Sequence, residues 1–233
     1  MDDLATDPST GLPTGLPASL PSSPPGTSAT GCLPYDAVLC DFDGVVHLWD
    51  PDGMAALDRS AGLPEGTLAG TAFRADLVGQ AVVGRISDEE WRARITAELA
   101  EVCESPTVAR ELVVAWTRLT GQVDAEVVEM LAAVRRRVPV VLVSNGTTRL
   151  ESMLEAAGLA DAFDAVLNTA RFGAAKPDPR VFAAAARLAG AAPGRCLFTD
   201  DTAGHVLAAR AAGMAGHHYR GAAGLRAELA GLL

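Results

Sequence analysis

Val38-Leu39-Cys40-Asp41-Phe42-Asp43-Gly44-Val45-Val46 is the stretch on which the fold turns. Three apolar residues lead into Asp41, a second acid follows two positions on, and Gly44 lets the chain turn. A short, continuously apolar run rich in strand formers reads as a strand buried on both faces. Asp41 and Asp43 then stand at its carboxyl end, where open α/β sheets place their ligands. Side chains two apart share one side of an extended strand, so the two carboxylates are neighbours and call for a cation beside them. By itself the stretch is compatible with either an acidic strand-to-loop turn or a functional site. The remainder of the chain decides between them.

Length and composition set the limits. At 233 residues, 49% of them hydrophobic, the chain can bury one α/β core and a small accessory domain. A formal net charge of −10 excludes nucleic acid or an anionic membrane as the main partner, since either demands a basic surface. A small phosphorylated ligand needs only a local positive field and stays open. Cys32, Cys40, Cys103 and Cys196 show no metal-knuckle or CxxC spacing, and Cys40 and Cys196 sit in apolar runs as core residues. The start Met1-Asp2-Asp3 lacks the basic and apolar regions of a secretory signal, and no run approaches the ~20 apolar residues of a membrane span. These features predict a soluble cytoplasmic protein.

Residues 1–34 are rich in Pro, Ser, Thr and Gly and are expected to form a disordered tail. Beyond the first strand, residues 47–120 carry helical signals. Ser87 and Glu90 make a capping box ahead of Trp91, Ile95 and Leu99, and Ser105-Pro106 opens a further helix. With no convincing strand between Val46 and Thr120, this region is expected to be a small α-helical cap. Strand-helix alternation resumes over 121–233. Val138–Val143 is the second strand and runs into Ser144-Asn145-Gly146, with a helix expected over 147–157. Ala165–Asn168 is the third, followed by Lys176-Pro177, where Pro177 suits the first turn of the next helix. Arg195–Thr199 is the fourth and ends in Asp200-Asp201. A short last strand at His217-His218-Tyr219 and a helix over Leu225–Leu232 complete the chain. The pattern predicts an α/β fold: a mainly parallel, Rossmann-like sheet with helices on both faces, built from 35–46 and 121–233.

In such a sheet the strand ends share one edge, so Asp41/Asp43, Ser144/Asn145, Lys176 and Asp200/Asp201 converge on one crevice. Each has a plain structural alternative, such as a helix cap or a surface lysine, but four at successive strand ends point jointly to a site. Their chemistry is complementary. Aspartates are the hard oxygen ligands that Mg²⁺ takes, Lys176 is a fixed cation, and Ser144 with backbone N–H groups can donate to phosphate oxygens. A carboxylate can attack a phosphoryl group whose charge is neutralised in this way, while a second acid handles the proton.

In these motifs the sequence resembles the haloacid dehalogenase (HAD) superfamily, specifically its Mg²⁺-dependent phosphatases with a helical cap between the first and second motifs. Asp41-Phe42-Asp43-Gly44-Val45-Val46 looks like motif one, Ser144-Asn145 motif two, Lys176-Pro177 motif three and Asp200-Asp201 motif four. The resemblance implies a HAD-type fold, with Asp41 as nucleophile and Asp43 as general acid/base whose carbonyl also ligates Mg²⁺. It implies Asp201 as a direct ligand, and Asp200 as either a ligand or a partner of Lys176. Ser144, Asn145 and Lys176 would hold the phosphoryl group. The expected function is hydrolysis of a small phosphorylated metabolite, such as a sugar phosphate, through an aspartyl-phosphate. A phosphomutase and a non-catalytic metabolite sensor on the same scaffold are the alternatives. The acid at Asp43 favours phosphoryl transfer over dehalogenation. Lys176 is the chain's single lysine, which leaves none for a Schiff base in the cap. Trp91 is expected in the cap core, Arg74 on the surface and His205 on a solvent-facing helix side, whereas His47 and Trp49 are placed beside the substrate or on the surface with equal weight.

Overall fold

The computed structural model describes residues 33–233. The expected tail therefore lies outside the described residues except for Leu33 and Pro34, and Cys32 lies outside them too. Leu33 packs against the core, two positions ahead of the expected first core residue Tyr35.

In chain order the strands are β1 (Ala37–Cys40), β2 (His47–Leu48), β3 (Gln122–Val123), β4 (Val140–Ser144), β5 (Ala165–Asn168), β6 (Cys196–Asp200) and β7 (Ala215–His218). The helices are α1 (Gly53–Ser60), α2 (Thr67–Ala72), α3 (Ala75–Val82), α4 (Asp88–Val102), α5 (Pro106–Thr117), α6 (Ala125–Arg135), α7 (Leu150–Ala156), α8 (Thr169–Phe172), α9 (Pro179–Leu188), α10 (Ala203–Ala211) and α11 (Ala222–Glu228).

β1 is central in a parallel sheet of order β5-β4-β1-β6-β7, with Val38 opposite Val140 on one side and Leu197 on the other. Its four residues are fully buried because helices cover both faces. Alternation then sorts the core. Val38, Cys40, Leu142 and Leu197 face residues of α6, α7 and α11, including Met130, Leu154 and Leu225. Ala37, Leu39, Val141 and Phe198 face α9 and α10, where Val181, Phe182, Ala185 and Ala209 pack on the sheet.

α1 to α5 enclose a third core of Leu68, Trp91, Ile95, Leu99 and Leu112. Within it the buried Asp58 carboxylate accepts from the amides of Gly66 and Leu68 and so ties α1 to the start of α2. The Ser87–Glu90 capping box forms, as does the Ser105 cap with Pro106 at the first helical position. Trp91 lies in this core and donates to the Ala72 carbonyl. Arg74 is half-exposed and pairs with Asp76 and Glu98.

The structure corrects the sequence reading at several elements. β2 and β3 form a two-residue antiparallel ribbon joining the entry and exit of the α1–α5 segment, so a strand does occur after Val46. Two residues leave no periodicity to read. α7 begins at Leu150, not 147, because Thr147 and Thr148 turn their hydroxyls to Asp88 instead of winding into helix: Thr147 Oγ1 donates to Asp88 Oδ1 at 2.8 Å, and Asp88 N donates to Thr148 Oγ1 at 2.9 Å. Pro177 precedes α9: Pro179 opens that helix behind the Asp178 cap, and the Lys176–Pro177 peptide is cis. The last helix spans Ala222–Glu228 instead of Leu225–Leu232.

Candidate active site

The carboxyl ends of β1, β4 and β6 and the loop after α8 deliver the candidate groups to one sheet edge. Lys176, buried to 3% exposure, places its Nζ 2.8 Å from Asp41 Oδ1 and 2.7 Å from Asp200 Oδ2. Its loop is held by Asn145, whose Oδ1 accepts from Lys176 N at 2.8 Å while Nδ2 donates to Lys176 O at 3.0 Å. The Asn145 side chain thus serves the lysine loop, a use the sequence did not suggest. Ser144, at the end of β4, is buried and borders the cleft with Asn145.

Asp200 is fully buried and fully used. Oδ2 faces Lys176, Oδ1 accepts from Thr202 N at 2.8 Å, and His205 Nδ1 lies 3.1 Å from both oxygens. Of the two roles open to Asp200, partner of Lys176 is the one the geometry shows. His205 is therefore not turned to solvent. It lies in the first turn of α10, and side chains of a helix lean toward its N-terminus, here back onto the end of β6. A histidine in the first turn of a helix that follows a strand-end acid was the available signal.

Burial pushes Asp41 up to about 7, against the opposing pull of Lys176. At Asp200 burial also acts upward, but the bonds from His205 and Lys176 prevail and hold it at about 2. The lysine stays protonated, raised by its two carboxylates despite desolvation.

Asp43 and Asp201 stand at the wetter rim. Asp43 is half-exposed, and its Oδ1 meets His47 Nδ1 at 3.0 Å and Trp49 Nε1 at 2.8 Å. His47 and Trp49 thus both reach the site. Gly44 has φ +82, and a Cβ there would come 2.0 Å from Asp201 Oδ2. Only glycine lets the Asp201 carboxylate lie against the loop of Asp41 and Asp43. Asp41, Asp43, Gly44, Leu48, Trp49, Ser144, Asn145, Asp201 and Thr202 line a cleft of about 480 Å³. A larger hollow of about 780 Å³, between α6 and the segment before β5, lies at the amino edge of the sheet, away from these groups.

The donor set fits a hard divalent cation. Both protein donors to Asp41 converge on Oδ1, Phe42 N at 2.7 Å and Lys176 Nζ, and Oδ2 accepts neither. The Asp201 carboxylate sits across the Gly44 cradle. Ligand atoms of Asp41, Asp200 and His205 also lie within 4.8 Å of one another, but they already satisfy Lys176 and each other as an ion-pair network. Asp41 and Asp201, both on the cleft, are carboxylates that could hold a metal.

The chain is similar to several known proteins. Phosphatase MT3486 of Mycobacterium tuberculosis is 43% identical over 82 residues, 34% of this chain and 38% of that protein. The phosphoserine phosphatase of Thermus thermophilus is 36% identical over 130 residues, 53% of this chain and 52% of that protein. The chain thus spans about half or less of the length of these curated relatives. A HAD family enzyme of Bacteroides thetaiotaomicron, solved with magnesium and inorganic phosphate, superposes with a TM-score of 0.66 at 20% identity, covering 80% of this chain and 94% of that one, a likeness of fold. The profile of the haloacid dehalogenase-like hydrolases matches residues 35–213. With its parallel sheet and its acids, serine and lysine gathered at one edge, the chain belongs to the haloacid dehalogenase-like hydrolase family.

Proposed function

We propose that the chain is a Mg²⁺-dependent phosphomonoester hydrolase of a small phosphorylated metabolite, such as a sugar phosphate, working through an aspartyl-phosphate. The observation that carries this reading is the buried Lys176 bridging Asp41 and Asp200, with Asp43 and Asp201 on the same cleft. The two relatives named as phosphatases support the same class.

In the first step the Asp41 carboxylate attacks phosphorus, the ester P–O bond breaks, and the leaving oxygen takes its proton from Asp43. In the second, Asp43 removes a proton from water, which attacks phosphorus and returns the Asp41 carboxylate with release of inorganic phosphate. Asp41, the Asp43 carbonyl and Asp201 would hold Mg²⁺, which when bound neutralises phosphoryl charge. Lys176 keeps Asp41 oriented by its bond to Oδ1, and Asp200, fixed by His205 and Thr202, keeps Lys176 in place. Ser144 and the Asn145 backbone amide would donate to the phosphoryl oxygens. The α1–α5 segment, within residues 47–120, would act as the cap that limits substrate size and excludes bulk water, over a catalytic core of 35–46 and 121–233. A cytoplasmic location is proposed; no helix among the described residues is long and apolar enough to cross a membrane.

The test is phosphate release from 4-nitrophenyl phosphate and a panel of sugar phosphates with Mg²⁺. Stoichiometric release is expected, whereas isomerisation without release would indicate a mutase. Asp41→Asn and excess chelator should each abolish turnover. Full activity in either case overturns the reading.

A further inference from the structure

Asp43 is gripped through one oxygen only. His47 Nδ1 and Trp49 Nε1 both converge on Oδ1, at 3.0 and 2.8 Å. As indole is a donor only, Trp49 must donate; an ionised Asp43 accepts only, so His47 then carries its proton on Nδ1. His47 is the firmly held donor of the two. It is 6% exposed, and its ring stacks on Phe42 with centroids 4.9 Å apart and planes within 1°. Its far edge rests on Gly121, where a Cβ would come within 2.5 Å of Cε1 and Nε2. Trp49 meets the imidazole edge-on at 4.6 Å. Phe42, His47 and Trp49 thus form a wall that fixes the angle of the Asp43 carboxyl plane. Its side chain remains 45% exposed on the cleft side.

Oδ1 is thus taken up by the two ring nitrogens, and Oδ2 is the oxygen they leave open. We propose that His47 and Trp49 are positioning residues for Asp43: by occupying Oδ1 they leave Oδ2 as the oxygen that passes a proton to the leaving group as the phosphate ester breaks. This inference rests on the phosphatase reading. The two donors come from β2 and the residue that follows it, the ribbon through which the chain enters the α1–α5 segment, so the acid is aimed from the segment boundary and not from β1.

A misaimed acid harms only substrates whose leaving group needs a proton, and that separates positioning from a merely structural role. 4-Nitrophenyl phosphate and benzyl phosphate both carry a ring, but nitrophenolate departs as a stable anion while benzyl alkoxide does not. kcat/KM covers the steps up to alcohol release, before the water step that both substrates share. Since a general acid contributes about 10²–10⁴-fold, its misplacement should cost about 10- to 100-fold on benzyl phosphate. For Trp49→Phe, which keeps a ring and removes the donor, and for His47→Leu, that loss is expected on benzyl phosphate with less than about threefold on 4-nitrophenyl phosphate. His47→Asn, which offers an N–H near the position of Nδ1, should recover most of the benzyl phosphate activity. Equal losses on both substrates, or none on benzyl phosphate, overturn the inference while leaving the phosphatase reading intact. A wild-type protein inactive on both substrates overturns the reading itself and the inference with it.

Discussion

Replacing Lys176 by methionine should be among the most damaging single changes the core can suffer, and the structure says why. The lysine side chain is fully buried, its ammonium facing carboxylate oxygens at 2.7 and 2.8 Å. At an effective dielectric of about 20, each contact carries on the order of 6 kcal/mol of gross attraction, most of it offset by desolvation of the ions. Methionine fills similar space but leaves Asp41 and Asp200 facing each other with no cation between them. Removing one partner from a buried ion pair costs about 3–5 kcal/mol, and the remaining donors, Phe42 N at Asp41 and Thr202 N and His205 at Asp200, place the expected loss inside that range rather than above it. With a urea m-value of about 2 kcal/mol/M, the unfolding midpoint should fall by about 1.5–2.5 M. The loss should also depend on pH. Without the lysine one carboxyl of the pair keeps a proton that the unfolded chain releases, so the folded pKa lies above the unfolded one and stability falls as pH rises. Since wild-type Asp41 already keeps its proton up to about 7, the variant's extra impairment should be smallest below pH 7 and grow above it. Adding Asp41→Asn, which removes one of the two stranded charges, should restore part of the loss. A midpoint shift under about 0.5 M at constant m, with no pH dependence, would refute the account of Lys176 as the counter-ion of both acids.

The wild-type site should leave its own trace in stability measured with chelator present. Asp41 titrates at about 7 when folded because it is buried, so its burial costs nothing at pH 4 and increasingly more as pH rises to 7; Asp41→Asn should flatten that slope, and an unchanged slope would contradict it. Asp200, held at about 2, acts in the opposite sense, and its contribution should be lost as pH falls below 4 toward 2. Gly44→Ala should lower stability by about 1–2 kcal/mol through the left-handed φ. It should also weaken Mg²⁺ binding measured by calorimetry, because the new Cβ displaces the Asp201 carboxylate, and unaltered affinity would argue against Asp201 as ligand. Thr147→Val removes the donor to buried Asp88 and should cost about 1.5–3 kcal/mol in urea unfolding; a neutral result would mean that Arg92 alone satisfies that carboxylate.

What could be read in the sequence divides by the range of the forces involved. β1, β4 and β6 were legible because strands buried on both faces must be apolar throughout, and the acids, serine and lysine stand out where those runs stop. Helix starts at Ser87 and Ser105 were legible because a cap acts within three residues. The hidden part consists of contacts between segments. His205 against Asp200, His47 and Trp49 against Asp43, and Thr147 against Asp88 each join an ordinary polar residue to a partner chosen by the tertiary fold. Pro177 misled for a related reason: Lys176-Pro177-Asp178-Pro179 offers two prolines for one helix start, and the Asp178 cap selects the second.

Asn145 gives one of these contacts a wider meaning. Its carboxamide presents one acceptor and one donor to the Lys176 backbone, as a neighbouring strand would, across a gap of thirty-one positions. An aspartate there would set oxygen against the Lys176 carbonyl, and a leucine of equal size would leave both backbone groups without a mate. The position thus has the tolerance of a reacting atom while its side chain contributes no chemistry. Its work is metrology: it sets the height from which the lysine side chain descends between the two acids. In substitution data Asn145 should score like Asp41, yet for a reason visible in the backbone of a different loop.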